Sequence, residues 1–257
     1  MGGPGALLHE LARLTTRRRF VLAGVVMLLF GVASMFARRG ELLMLAGVDG
    51  VVQHSGSMLW LTELDGAGTF FLIWPMIIGG TLAEDLESGL ASLLITRAGS
   101  RWRWFSAKLG AAYVSSTLLL VALAVVWLAA AAVFVPWDPS NAGAVVPWGA
   151  RLAVSAPLLL GLAVVLILGL AATATSATSM LLAALGAGRT VSQVGATIAY
   201  LAFMFALPAP VNPGERARML SSFADWATPL TTVTYWSAIL IVGAVTTYLL
   251  LRARENR

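Results

Sequence analysis

Residues 109–137 read LGAAYVSSTLLLVALAVVWLAAAAVFVPW, 29 positions without a charge, set between Lys108 and Asp138. A helix rises about 1.5 Å per residue, so ~20 residues cross a hydrocarbon layer of ~30 Å and this run is ample. Five further runs lack charge: 20–37 (18 residues), 66–83 (18), 152–188 (37), 190–214 (25) and 226–251 (26). The six runs take up 153 of 257 residues, and the chain is 59% hydrophobic and only 11% charged. A soluble globule is excluded, since such proteins carry about 25% charged residues. Spanning strands would alternate apolar with polar side chains inside a closed barrel, whereas these runs are apolar on every face.

The fold expected is therefore all-α: one polytopic transmembrane domain over 1–257, with six spans near 20–37, 66–83, 109–135, 152–175, 190–207 and 230–251. If the N-terminus is cytoplasmic, twelve of the seventeen Lys and Arg fall on the inner side, and six spans return the C-terminus there. Trp60, Trp102, Trp104, Trp137, Trp148 and Trp226 stand at or near run ends, where an indole prefers the headgroup level. The first run is too long for the core of a signal peptide and reads as a retained span. The net charge of +5 sets topology here, and nucleic acid is not an expected partner.

The fourth run is too long for one straight crossing. Either its helix ends near Thr175, with 177–188 at the surface, or the chain turns within Thr173, Thr175, Ser176, Thr178 and Ser179. Gly186 and Gly188 favour a break beside Arg189. The same five hydroxyls are candidates to line a polar pathway, against the alternative that they bond their own backbone carbonyls.

Before the first span, Leu7, Leu8, Leu11 and Leu14 recur at helical spacing, with His9, Glu10 and Arg13 assigned to other faces. This predicts an interfacial helix over 4–16, or else a turn that merely precedes the span. His9 and Glu10 open like a zinc-protease motif, but Arg13 stands where the second histidine is required. On the outer side, 38–65 and 208–228 are the only loops of any size expected; in the second, Pro208, Pro210 and Pro213 lead to Met219, Leu220, Phe223 and Trp226. An outer segment over 208–229 is expected, holding either a short re-entrant helix or an interfacial loop.

The most polar information lies in 84–108. Leu86, Leu90, Leu93 and Leu94 repeat at i, i+4, i+7 and i+8, while acids Glu84, Asp85 and Glu87 precede Arg97 and Arg101, complementing a helix dipole. An amphipathic helix following the second span is one reading; a solvated loop is the other. Arg101, Trp102, Arg103 and Trp104 then suit re-entry through the headgroups.

Several chemistries lack their residues. There is no phosphate-cradling Gly-x-x-x-x-Gly-Lys-Ser/Thr, no Gly-x-Ser-x-Gly elbow and no cysteine, so no catalytic, cofactor or metal site is expected in this chain. Charge-free spans point away from an ion relay and toward a permease driven from outside.

The string from Glu84 through Asp85, Glu87, Gly89, Leu93, Leu94, Thr96 and Ser100 to Arg101, with Lys108 beyond, resembles the loop between spans two and three in permease subunits of ABC type-2 exporters. Ala98 stands where that family typically has proline, and Glu84-Asp85-Leu86 differs from the Glu-Ala-Ala signature of importer permeases. The resemblance implies two paired permease subunits, each docked on a separate ABC ATP-binding subunit that holds ATP and Mg. The helix from Glu87 to Thr96 would be the coupling helix, with Glu84, Glu87, Gly89, Leu90, Leu93, Leu94, Thr96, Arg97, Ser100 and Arg101 at the ATPase contact. It implies a multi-pass exporter of a cytoplasmic membrane; the few fixed charges of the spans point to a hydrophobic or amphipathic cargo, a small molecule, lipid or peptide, and the richness in Ala, Gly, Leu, Val and Arg is compatible with a bacterial origin. The alternatives are an ATP-independent transporter or channel, and a membrane assembly subunit without transport.

Overall fold

In a computed structural model, which describes residues 4–45, 55–140, 142, 150–218 and 228–255, the regular elements are helical and no strand occurs among the described residues. Among the described residues, four helices are long and apolar enough to cross a bilayer: α2 (Arg18–Leu45), α6 (Arg101–Phe134), α8 (Pro157–Ala184) and α11 (Pro229–Glu255). Such helices mark a membrane-embedded helical protein. A bent pair, Gly56–Leu72 with Pro75–Glu87, makes a fifth crossing if its two halves form one span. A shorter helix, Arg189–Ala206, is not among those that qualify.

Where the sequence predicts one straight span over 66–83, the chain forms α3 (Gly56–Ala67), a 3₁₀ turn (Gly68–Leu72), a π turn (Pro75–Gly79) and α4 (Thr81–Glu87), bent by 47°. Pro75 removes one backbone donor, which is a sufficient cause for leaving the α ladder here. Gly79 and Gly80 hold the bend against its neighbours: an added Cβ would stand 2.4 Å from Ser179 and 2.2 Å from Gln193. Helix α2 runs antiparallel to this pair over the same depth. Arg17, just before α2, meets Glu84, Phe30 packs edge-on to Phe70, and Ser34 donates to Glu63 at 2.8 Å. Glu63 and Asp65, read as loop residues from their charge, are thus buried in α3.

Helix α8 is the central element, its most apolar stretch 61% buried against 22–28% in the other three long helices. It packs on α6, α11, α3, α4 and α9 (Arg189–Ala206). Small residues permit that closeness. A Cβ on Gly161 would fall 2.1 Å from the Trp60 ring, and one on Gly169 would fall 2.2 Å from Thr117 Oγ1. The helix passes without interruption through Thr173–Ser179, so the turn considered at that cluster is not made there. It ends at Ala184, Gly186 takes φ +105°, and α9 begins at Arg189. α9 buries one stripe, Ser192, Ala196 and Tyr200, against the bundle.

Two short helices complete the frame. α7 (Ala150–Ser155) leads into α8, and α10 (Pro213–Ala217) is capped by Asn212. In the segment before α11, Arg216 donates to Pro210 O at 2.7 Å, and Trp236 Nε1 of α11 donates to Arg216 O at 3.4 Å. Met219, Leu220, Phe223, Trp226 and Trp148 lie outside the described residues. At the opposite end, α1 (Pro4–Thr15) packs on the start of α6, and Arg101 Nη1 donates to Leu251 O at 3.1 Å. The first helix and the last described turns of α11 therefore share one end of the bundle, termed here the basic end.

Candidate functional site

At the basic end the chain projects α5 (Leu90–Ala98) between two corners. Gly89 (φ +71°) and Gly99 (φ +78°) occupy the left-handed region that a side chain resists, which makes both turns abrupt. The single amphipathic helix expected from Glu84 onward is thus two helices: Glu87 closes α4, Gly89 is the corner, and α5 continues to Ala98 instead of ending at Thr96.

The faces of α5 differ. Leu94, with Ala91, Ile95 and Ala98, turns inward onto a cluster containing Leu82, Trp104 and Phe105. Leu90 and Leu93 turn outward, 44% and 47% exposed, beside exposed Thr96 and Arg97. The remaining candidate residues serve the frame. Ser100 caps α6 by accepting the Arg103 N–H at 3.2 Å, Arg101 holds the end of α11, and Glu87 accepts the Arg189 N–H at 2.7 Å.

Glu84 belongs to an ion cluster that joins five helices, α1, α2, α4, α6 and α9, and the segment before α2. Its Oε2 accepts from Arg17 at 2.6 Å and faces Arg13 at 3.6 Å, while Oε1 faces Arg189 at 3.7 Å. Behind it, Lys108 Nζ lies 2.5 Å from Asp85 and 3.1 Å from Glu10, with the Trp104 ring 5.3 Å away. The side chains of Lys108 and Asp85 are fully buried and Glu10 is 4% exposed. Glu10 thus faces the bundle, contrary to its assignment to an outer face. Arg13 reaches Asp85 as well; burial opposes its charge, but Asp85, Glu10 and Glu84 together outweigh that and raise its pKa. Buried charges persist only when paired in this way. The cluster ties α1, α2, α4, α6 and α9 together, and α5 packs on two of these, α4 and α6.

The hydroxyl cluster of α8 is placed otherwise. Thr173 donates to Gly169 O at 2.8 Å, Thr175 to Ala172 O at 3.0 Å and Ser176 to Ala172 O at 2.7 Å. Thr178 pairs with the Tyr200 hydroxyl at 2.9 Å, and Ser179 is buried against Gly79. Thr173, Thr175 and Ser176 thus bond carbonyls of their own helix, whereas Ser179 Oγ is buried without a hydrogen-bond partner.

Sequence reasoning gave Glu10, Asp85 and Lys108 no joint role. The available signal was scarcity: few acids occur near so many cations, and the one lysine of the sequence, Lys108, stands directly before the charge-free run 109–137. Compared with protein-family models, curated proteins and solved structures, the chain matches none.

Proposed function

We propose that this chain is the membrane-spanning permease subunit of an ATP-driven ABC exporter, with α5 as its coupling helix. The observation that carries the reading is α5 itself, a nine-residue helix bounded by left-handed glycines that presents Leu90 and Leu93 outward. Exposed leucines outside the apolar runs are the kind of anchor a groove on an ATP-binding subunit would take. The excess of Lys and Arg at this end supports placing it, with both termini, on the cytoplasmic side. The bent pair and α9 supply the fifth and sixth crossings of the proposed topology.

A coupling helix needs to be a stiff lever. Closure of two ATP-binding subunits would draw the two copies of α5 together. The ion cluster would carry that motion into α4 and α6, opening the path between paired permeases. ATP and Mg belong to the partner. A hydrophobic or amphipathic molecule, lipid or peptide is the expected cargo, because the helices offer few fixed charges.

The test is co-expression with a candidate ABC ATP-binding subunit and purification in mild detergent. Leu93→Asp is expected to abolish the complex while the permease remains folded; an intact complex would refute the assignment of this face. A second reading, an ion-coupled transporter, draws on Glu63, a carboxylate buried between α2 and α3. It requires transport in ATP-free proteoliposomes that is driven by an ion gradient and lost in Glu63→Gln.

A further inference from the structure

Beside α5 the basic end holds a cleft of about 350 Å³ lined by Arg17, Arg18, Arg19, Arg189 and Glu84. Four guanidinium groups share one lining carboxylate, and that carboxylate is already divided. Glu84 takes Arg17 at 2.6 Å, lies 3.9 Å from Arg19 and 3.7 Å from Arg189, and also faces Arg13. The acids nearby are committed elsewhere: Asp85 and Glu10 to Lys108 and Arg13, and Glu87 to the Arg189 N–H. Arg18 and Arg189 are exposed at the cleft, while Arg19 Nη1 donates to Met76 O at 3.3 Å and the buried Arg17 Nη1 and Arg19 Nη2 have no hydrogen-bond partner. Guanidinium groups in such surplus over carboxylates call for an anion with several acceptor oxygens.

The surroundings specify the anion further. From the cleft, α2 rises with Val21, Leu22 and Val25 exposed, and α9 rises with Val191 and Ile198 exposed. Cationic donors therefore sit at the foot of two apolar helix surfaces, at the depth where a membrane-embedded chain meets headgroups. We propose that this cleft is a binding site for the phosphate of an anionic phospholipid, whose acyl chains lie along α2 and α9. The inference rests on the membrane-embedded fold and not on the exporter reading.

The test uses the purified full-length protein in neutral detergent, titrated with phosphatidylglycerol, phosphatidylcholine or inorganic phosphate and followed by native mass spectrometry. Phosphatidylglycerol is expected to bind more tightly than phosphatidylcholine. Arg18→Gln should weaken it about fivefold and the pair Arg18→Gln with Arg189→Gln about 30-fold, from the attraction each basic residue exerts on an anionic headgroup. Arg103→Gln, an exposed cation on α6 outside the cleft, should leave binding unchanged. Inorganic phosphate that displaces the lipid at comparable affinity would make the free ion the ligand and overturn the lipid assignment. Equal binding of the two lipids, or an equal loss in Arg103→Gln, would overturn the site.

Discussion

Lys108→Met tests whether the ion cluster holds the basic end together. Lys108 is fully buried, 2.5 Å from Asp85 and 3.1 Å from Glu10. At ~3 Å and an effective dielectric of ~20, each contact carries about 5 kcal/mol of Coulomb energy. Desolvation of the ions offsets much of this, and removing one partner of a buried pair costs about 3–5 kcal/mol. The methionine leaves two carboxylates facing Arg13 alone. For a chain of this size, about 2–4 °C per kcal/mol turns that cost into a fall in melting temperature on the order of 10 °C. Tryptophan fluorescence during heating in detergent reads it directly, because Trp104 lies against the lysine. Adding Asp85→Asn to Lys108→Met should recover ~1–3 kcal/mol, the coupling energy of groups in contact. A Lys108→Met protein that melts like the parent, or a double variant whose losses simply add, would refute the clamp.

Other substitutions probe the frame. Gly161→Ala drives a methyl into the Trp60 ring and should cost about 1–3 kcal/mol, displacing the indole from its bond to Ala124 O, visible as a shifted tryptophan emission. Gly89→Ala meets no neighbour, so its loss of about 1–2 kcal/mol in thermal unfolding should come from the left-handed backbone alone. Leu93→Asp should alter stability by less than about 0.5 kcal/mol, whereas Leu94→Asp, facing the cluster with Trp104, should cost about 1–3 kcal/mol on the same melting assay.

The helical class and its membrane character were legible because apolar runs of this length have few other homes. The broken crossing was not. In a run apolar on all faces, periodicity carries no phase, and Pro75 followed by Gly79 and Gly80 was the only sign that the ladder would fail there. Charge misled in α3: Glu63 and Asp65 read as loop, yet Ser34, 29 positions away, meets Glu63 inside the bundle. The faces of α5 were only partly readable. Leucines at helical spacing announce an amphipathic helix but do not say which of them meets its own fold, and the structure separates Leu94 from Leu90 and Leu93. The ion cluster escaped because Glu10 finds its partner 98 residues on, in Lys108. Of the α8 hydroxyls, Thr173, Thr175 and Ser176 form the backbone bonds that their chemistry favours, while Thr178 pairs with Tyr200 across to α9.

The most direct test of the central claim is purification of the tagged chain, co-expressed with its candidate ATP-binding subunit, followed by an ATPase assay on the complex. The expected result is a stoichiometric nucleotide-binding partner whose hydrolysis is present with the native chain and lost with Leu93→Asp. A chain that purifies alone despite that co-expression, and transports without ATP in proteoliposomes, would contradict it.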